Sequence, residues 1–397
     1  MPPQHTLTHH NLTPIRKILF KTAPKTQVFG AVGGGRKSVR ETVVLQTDVL
    51  SKILEMNALS TYSIFLAEIF VPALVLQASI KKIIYSKLMQ QLANCPICNT
   101  TSIGSFIKTT AQMHSNNELF SFDQCSECKL AFLNPRVPLE QLKDYYTSHY
   151  LPYRGARAWG MFEKLVGNSQ HRLDLKRVKR VKDAHIISSE SLILDVGCGK
   201  PSFLKACHQA LNCQTMGIDF SDEGWKDQSA DFEGLDLKVA EIKDLPSSLQ
   251  PDVITMWHYL EHDYNPIENL SHLKSIAKPS TTLIIEIPNF DSASRRKYGK
   301  NWAGWHTPRH ISLFSPDNIK LLLQKSGWKV SKLFTYGTMN PYLLYWMSEM
   351  EQKGIEWDKN MENKFLGFML GMALFMPKKW KEKSSSLGIM TVIVTPQ

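Results

Sequence analysis

The sequence predicts an α/β protein in which a small four-cysteine module precedes a doubly wound, mostly parallel sheet. Two observations carry this prediction: a pair of Cys-x-x-Cys motifs, and short apolar strands that alternate with helical patterns from Ser191 onward. A chain of 397 residues is long enough for two or three units. With 43% hydrophobic and 21% charged residues, the composition excludes collagen-like, mostly disordered and polytopic membrane proteins.

The positive charge is concentrated at the N-terminal end. The formal net charge is +11, but residues 1–88 hold 11 Lys/Arg against 4 Asp/Glu, which leaves +4 for residues 89–397. A mildly basic folded part argues against nucleic acid as a partner, and we expect none.

Residues 1–88 are predicted to form a basic and apolar N-terminal extension. Three interpretations stay open: an extension outside the functional fold, with translation starting at Met89, a membrane or surface anchor, and a targeting segment. An anchor would use residues 56–80, which contain no Lys or Arg, for peripheral or single-span membrane association. Glu68 and Pro72 argue against a span, because a carboxylate at the bilayer centre costs on the order of 2.5 kcal/mol or more.

Four of the seven cysteines form two Cys-x-x-Cys pairs separated by 26 residues. They are Cys95, Cys98, Cys125 and Cys128. Two such turns complete a closed tetrahedral zinc site, which is structural. The odd cysteine total favours reduced thiols in a cytoplasmic location over a disulfide framework. We therefore predict a zinc-ribbon-like four-cysteine knuckle over residues 89–140. A nucleic-acid-reading finger is the alternative, but Lys108 is the only Lys or Arg between the pairs.

A helical lid or linker is expected over residues 141–190, and the sheet domain over 191–397. Five apolar runs predict the parallel strands, with helical patterns between them. The runs cover 192–196, 215–219, 235–240, 253–257 and 281–287. A last strand at 387–395 would complete the sheet after a helical insertion over 338–382. The apolar part of that insertion, 365–376, is expected to cover the core or a pocket, with a membrane interface as the alternative.

The glycine loop after the first strand shows which of two classes of nucleotide-like ligand the sequence favours. A dinucleotide fold requires Gly-x-Gly-x-x-Gly, and the last glycine would fall on Ser202. What remains is Asp195 at the strand end, a turn through Gly197 and Gly199 that lets the backbone approach a ligand, and Asp219 after the second strand. A carboxylate there can accept two hydrogen bonds from vicinal ribose hydroxyls.

Further motifs follow in a set order between about residues 95 and 337. They are Cys128–Arg136, Leu194–Gly199, Gly217–Asp219, Trp257–His262 with Pro266, Ile285–Asn289, and Pro308–His310 with Phe314 and Ser315. Together they resemble class I S-adenosylmethionine-dependent methyltransferases, in the methyltransferase-23-like branch with an N-terminal four-cysteine zinc knuckle. The resemblance implies a Rossmann-like methyltransferase sheet and S-adenosyl-L-methionine as cofactor. Our hypothesis for the acceptor is a small-molecule or lipid-like compound, with oxygen as the expected methylated atom.

The resemblance assigns roles at the cofactor site. The loop 197–199 would contact the amino-acid part, Asp219 the ribose and Glu241 the adenine amine, with Trp257 as a wall. The full expected set is Asp195, Gly197, Cys198, Gly199, Asp219, Phe220, Glu241 and Trp257. Pro201 replaces the family's third loop glycine and removes one amide donor. This leaves open a zinc-bearing, non-catalytic adaptor with a degenerate cofactor loop. An RNA methyltransferase is the least favoured alternative.

Four side chains are candidates for chemistry on the acceptor. They are His258, Glu261, His262 and His310. Histidine titrates near neutral pH, and a helical turn would place the first three on one face. Three roles stay open: acid–base catalysis or positioning, binding of a divalent metal by the His258-x-x-Glu261-His262 spacing, and structural hydrogen bonding.

Two aromatic segments are expected near the acceptor. The loop 288–314 carries Tyr298, Trp302, Trp305, His306, Pro308 and His310, which either line the acceptor pocket or pack the loop onto the domain. Upstream, Tyr145, Tyr146, Tyr150 and Tyr153 are expected to form a lid. The basic stretch Arg172 to Lys182 is expected to be a solvated helix face.

Overall fold

The computed structural model describes residues 89–114, 117–146 and 150–397, and the predictions for residues 1–88 lie outside this part. Within it, the strands form a seven-stranded and a four-stranded sheet. The strands are β1 (Ile103–Thr110), β2 (Leu119–Cys125), β3 (Ala131–Leu133), β4 (Leu192–Val196), β5 (Gln214–Asp219), β6 (Asp236–Val239), β7 (Val253–Trp257), β8 (Thr282–Pro288), β9 (Ser312–Leu313), β10 (Trp328–Phe334) and β11 (Ile389–Pro396).

The large sheet has the strand order β10-β11-β8-β7-β4-β5-β6. Strands β4 to β8 are parallel, and β11 lies antiparallel between β8 and β10. The middle strands β7 and β8 are buried along their whole length, which explains why they are near-continuous apolar runs. The predicted fold class is confirmed, while the edge strand β10 is an addition that the sequence analysis did not include.

Helices connect the parallel strands on both sides of the sheet, and further helices extend the domain. They are α1 (Leu139–Leu142), α2 (Leu151–Arg154), α3 (Glu163–Ala184), α4 (Ser202–Leu211), α5 (Pro266–Ser275), α6 (Ala293–Tyr298), α7 (Pro316–Lys325), α8 (Tyr342–Lys353), α9 (Phe365–Trp380) and α10 (Glu382–Ser385). Most of the basic residues of α3 are exposed. Arg177 is an exception, because its guanidinium lies 5.0 Å above the Trp257 ring.

The cysteine module packs directly on the large domain. Strands β1, β2 and β3 form an antiparallel meander, and β9 pairs with β3 through Ala131–Leu313 and Phe132–Ser312. Phe132 shares one hydrophobic core with Leu260 and Phe314 of the large domain. The module therefore supports the backbone on which Glu261 and His310 are placed.

The apolar helix α9 only partly follows the prediction for residues 365–376. Phe365 is buried against Trp159 and Phe162, but Leu366, Leu370 and Leu374 are 73%, 64% and 75% exposed. The expectation that the whole stretch covers the core or a pocket is therefore wrong for its outer face. Among the described residues, none of the helices has the length and apolar character that crossing a bilayer requires.

Candidate functional site

The candidate site lies at the carboxyl edge of the large sheet, where the strand order reverses. From β4 the chain proceeds to β5 and β6 on one side, and then returns to place β7 on the other side of β4. Ligands of open α/β sheets bind in the crevice at such a point. The glycine loop after β4 and the turn after β7 both end in this crevice.

The glycine loop needs left-handed backbone at two positions. Gly197 has φ +72° and Gly199 has φ +49°, a region that side-chain-bearing residues rarely adopt. A methyl group on Gly197 would overlap the ring of Tyr259, whereas one on Gly199 would meet no atom within 4 Å. The loop thus presents bare backbone with open space in front of Gly199, which fits a ligand that approaches the main chain.

Asp219 ends β5 next to this loop. Its Oδ2 accepts a hydrogen bond from the Gly199 amide at 2.9 Å, and its Oδ1 accepts one from the Ser221 amide at 3.2 Å. Burial raises the pKa of Asp219 to about 6, and the backbone donors oppose this shift. The carboxylate is therefore mostly ionised at neutral pH, and each oxygen keeps a lone pair for a ribose hydroxyl.

Two residues expected at the cofactor turn their side chains into the core. Asp195 is buried, its Oδ1 accepts a hydrogen bond from the Thr255 hydroxyl at 2.6 Å, and burial raises its pKa to about 7. Cys198 is also buried, in a core cluster with Phe203 and Ile193. A contact with cofactor at either position stays a prediction, and at Cys198 only the backbone is placed to make it.

The other expected cofactor residues lie around the loop with different exposure. Phe220 is exposed beside Asp219, and its ring is 5.7 Å from that of Tyr146. Trp257 is buried, and its indole Nε1 has no hydrogen-bond partner. Glu241 is exposed, where it caps the turn Ile242–Asp244 and pairs with Lys243 at 2.7 Å. Phe220 is thus open to a ligand beside Asp219, whereas Trp257 lies in the core, and the cofactor contacts of all three residues stay predictions.

His258 lies between two buried carboxylates. Its Nδ1 is 3.4 Å from Glu261 Oε1 and its Nε2 is 3.5 Å from Glu286 Oε1. Burial opposes the charge of the ring, but the two carboxylates outweigh it and raise the pKa of His258 to about 9. The side chain is therefore a cation at neutral pH, which does not suit a general base. Its backbone is left-handed, with φ +61°.

Glu286, the second carboxylate beside His258, had no role assigned to it from the sequence. It is fully buried in β8 and accepts hydrogen bonds from the Thr338 amide at 2.6 Å and the Thr338 hydroxyl at 2.9 Å. Burial works against its charge, but His258 and the Thr338 amide hold its pKa at about 2. The signal available in the sequence was a carboxylate inside an otherwise apolar strand.

Three neutral histidines complete the polar side of the site. The Nδ1 of His262 is 3.0 Å from the Arg309 carbonyl oxygen, and the Nδ1 of His310 is 2.8 Å from the Gly304 carbonyl oxygen. His306 Nε2 is 2.5 Å from the Tyr150 hydroxyl. Burial lowers the pKa of His262 and places those of His306 and His310 well below the usual value. The structure thus brings His262, His310 and Glu261 together, whereas the spacing in the sequence had grouped His258 with Glu261 and His262.

Three of the four predicted lid tyrosines lie over the crevice. Tyr146 contacts Phe220 on one side and, through its hydroxyl, His262 Nδ1 at 3.2 Å on the other. Tyr150 and Tyr153 pack edge-on beside it, whereas Tyr145 turns toward Phe120 of the module. Tyr146 therefore links the cofactor side to the histidines.

The tryptophans of the loop 288–314 do not line an open pocket. Trp302 and Trp305 are 0% and 1% exposed and pack with Phe122 and Phe290 beneath the loop. The interpretation that they form the acceptor pocket is therefore wrong for these two residues. Arg309, another residue without an assigned role in the sequence analysis, is fully buried under Tyr150 at 4.6 Å.

The four cysteines lie close enough to share one metal ion. The sulfur atoms of Cys95 and Cys128 are 3.5 Å apart, those of Cys98 and Cys125 are 3.4 Å apart, and all four lie within 4.8 Å of one another. A tetrahedral site with Zn–S bonds of about 2.3 Å places sulfur atoms about 3.8 Å apart. A disulfide needs about 2.05 Å, and all four thiols are free. The donor set fits zinc.

One family model matches the part of the chain that holds this crevice. A family model described as a methyltransferase domain matches residues 170–333. No curated protein matches the chain.

Solved structures with similar folds have low sequence identity. A SAM-dependent methyltransferase from Archaeoglobus fulgidus is 19% identical, over 55% of this chain and 91% of that chain, with a TM-score of 0.36. Coclaurine N-methyltransferase is 13% identical, over 56% and 70%, with a TM-score of 0.38. A mycolic acid cyclopropane synthase is 11% identical, over 56% and 83%, with a TM-score of 0.40.

The family match covers strands β4 to β10, and therefore both the glycine loop and the turn that carries Glu261 and His262. Over residues 170–333 the resemblance to class I S-adenosylmethionine-dependent methyltransferases that the sequence motifs indicated is confirmed by this match to a methyltransferase-domain family model.

Proposed function

We propose that the protein transfers the methyl group of S-adenosylmethionine to a small-molecule or lipid-like acceptor, with oxygen as the methylated atom. One observation carries the proposal. Asp219 and the bare backbone at Gly199 lie at the strand ends beside a buried group of Glu261, His262 and His310. The contacts of Tyr146 with Phe220 and His262 support a cofactor site and an acceptor site that adjoin.

The cofactor would bind along the glycine loop. The backbone of residues 197–199 faces the amino-acid part, Asp219 accepts hydrogen bonds from the ribose hydroxyls, and Phe220 and Glu241 flank the adenine. The resemblance also assigns cofactor contacts to Asp195 and Cys198 and a wall to Trp257, although these three side chains are buried. The open space at Gly199 supports the placement of the cofactor along the loop.

The acceptor would bind next to the histidines. Holding a nucleophile in line with the sulfonium methyl can supply much of the rate. Neutral His262 and His310 present polar nitrogens to an acceptor hydroxyl, while the His258 cation fixes Glu261 from the other side. Tyr146 and Tyr150 would exclude water from the reactive sulfonium.

The outer face of α9 supports a lipid-like acceptor. Its exposed leucines form an apolar face without charge, which ends at a group of lysines. The lysines are Lys378, Lys379, Lys381 and Lys383. An apolar face beside basic residues suits the interface of an anionic membrane. We therefore propose peripheral membrane association through α9; the predicted anchor at residues 56–80 lies outside the described residues.

The remaining assignments extend the same proposal. The four-cysteine knuckle holds one structural zinc, and the chain divides into an extension 1–88, a knuckle 89–140, a helical lid 141–190 and a catalytic domain 191–397. Free thiols together with a four-cysteine metal site support a reducing, cytoplasmic location. Nucleic acid is not the expected acceptor.

The test is transfer of a tritiated methyl group from S-adenosylmethionine by the zinc-loaded, full-length protein. Total lipid extract and aqueous metabolite extract serve as acceptor pools. Label should enter a product with the wild type and with Asp236→Ala, a surface control, but not with Asp219→Ala. Cofactor binding without transfer to either pool would contradict the proposal. Weak or absent cofactor binding that Pro201→Gly strengthens would instead favour the non-catalytic adaptor with a degenerate loop.

A further inference from the structure

The carboxylate of Glu261 is buried without a hydrogen-bond donor. Its side chain is 1% exposed, and neither oxygen has a hydrogen-bond partner. The nearest charged or polar groups are His258 Nδ1 at 3.4 Å and His310 Nε2 at 3.8 Å, both from Oε1. A buried carboxylate without donors is costly, so this arrangement calls for a ligand that interacts with it.

Two histidines beside this carboxylate are held as metal ligands usually are. A carbonyl oxygen can only accept a hydrogen bond, so the Nδ1 atoms of His262 and His310 carry the protons and donate to Arg309 and Gly304. Each ring then keeps a free lone pair on Nε2. A backbone carbonyl that fixes the opposite ring nitrogen is the typical outer shell of a histidine ligand.

The three side chains converge. One ligand atom of each of Glu261, His262 and His310 lies within 4.8 Å of the others, and the two rings are 4.5 Å apart. A third ring, that of His306, is 4.8 Å from His310, but its Nε2 bonds to the Tyr150 hydroxyl. His306 therefore belongs to the same pocket without belonging to this group.

Charged groups of both signs surround the three side chains. Glu261 and Glu286 lie on either side of His258. The buried guanidinium of Arg309 donates to the carbonyls of Tyr145 and Gln112 on the module side. Glu286 accepts several hydrogen bonds, whereas Glu261 pairs with His258 but accepts no hydrogen bond, and it faces the two other histidines.

We propose that Glu261, His262 and His310 bind one divalent first-row metal ion, distinct from the zinc of the four-cysteine knuckle. Two imidazoles and one carboxylate suit manganese, iron, cobalt or zinc, and three protein ligands leave positions for an acceptor oxygen. The inference rests on the proposed function in one respect: the metal would orient an acceptor that carries a hydroxyl. A metal ion at this site would restrict the possible acceptors to compounds with an oxygen that can bind a metal.

Mn²⁺ added to the zinc-loaded, full-length protein tests this, because a hard ion avoids the thiolates. Electron paramagnetic resonance should count one bound Mn²⁺ per chain, and electron spin echo modulation should show imidazole nitrogen on the wild type. The dissociation constant should rise at least about tenfold in Glu261→Gln and His310→Gln and stay unchanged in His208→Gln, a matched control at an exposed histidine of α4.

Two results would overturn the inference: no Mn²⁺ binding by the folded wild type, or bound Mn²⁺ without imidazole modulation. Unchanged affinity in a folded His310→Gln variant would also exclude this ligand set. Calorimetry with S-adenosylmethionine separates the two proposals. Cofactor binding without Mn²⁺ binding would remove the metal site alone, whereas Mn²⁺ binding without cofactor binding would remove the proposed function alone.

Discussion

Gly199→Ala should separate cofactor binding from stability, because the two effects have different causes in the structure. The added methyl group meets no protein atom within 4 Å, so the only cost to the fold is a left-handed backbone with φ +49°. That strain should lower the free energy of unfolding by about 1–2 kcal/mol. Each kcal/mol corresponds to a fall in melting temperature of roughly 2–4 °C. The same methyl group projects from the loop into the space proposed for the cofactor.

Gly234→Ala is the matched control. Gly234 also has a left-handed backbone, with φ +85°, and open space around its Cβ position. It precedes β6, at the edge of the sheet opposite the crevice. Both variants should therefore lose similar stability in differential scanning calorimetry. In titration calorimetry, Gly199→Ala should weaken S-adenosylhomocysteine binding by at least about 100-fold, or ~2.7 kcal/mol, and Gly234→Ala should leave it unchanged. Equal affinity in the two variants would refute the placement of the cofactor.

Three further changes probe other parts of the account. His258→Asn should lower the free energy of unfolding by on the order of 3 kcal/mol at pH 6 and by much less at pH 10. The pKa of His258 is raised to about 9, so its charge stabilises the fold fully below about pH 6.5, and this contribution is lost as the pH rises through 9. Equal losses in urea unfolding at both pH values would contradict the buried ion pairs. Cys125→Ser should lose the zinc measured by mass spectrometry and Cys213→Ala should keep it, and zinc retained in Cys125→Ser would contradict the four-cysteine site. Leu370→Lys should reduce cosedimentation with phosphatidylserine vesicles about tenfold or more, whereas Leu119→Lys, at an exposed leucine of the module, should not, and equal binding would exclude α9 as the membrane contact.

The sequence predicted the parts of the fold that depend on local patterns. Apolar runs of strand length gave the parallel strands, and the glycines at 197 and 199 predicted a turn that requires a left-handed backbone. The pairing of strands that lie far apart in the chain could not be predicted from the sequence. Strand β9 is only two residues long, and it pairs with β3, which lies far earlier in the chain, before the whole parallel sheet. No local pattern marks such a strand, although it holds the module against the site.

Side-chain roles were predictable only where a motif fixed the position. Glu261, His262 and His310 were each candidates for chemistry, but their grouping appears only in the structure, and the charged state of His258 depends on Glu286 in another strand. Likewise, an aromatic residue in a loop can face a ligand or the core, and burial of Trp302 and Trp305 is decided by tertiary packing. The sequence alone could not separate these outcomes.

The central claim is that the crevice at Asp219 binds S-adenosylmethionine, and titration calorimetry with the zinc-loaded, full-length protein tests it most directly. The wild type should bind S-adenosylmethionine and S-adenosylhomocysteine at micromolar concentrations. Asp219→Asn, which removes the charge proposed to hold the ribose, should bind at least about tenfold more weakly, since a hydrogen bond to a charged group contributes about 1.5–3 kcal/mol. No heat of binding from a folded wild type, or equal affinity in Asp219→Asn, would contradict the account.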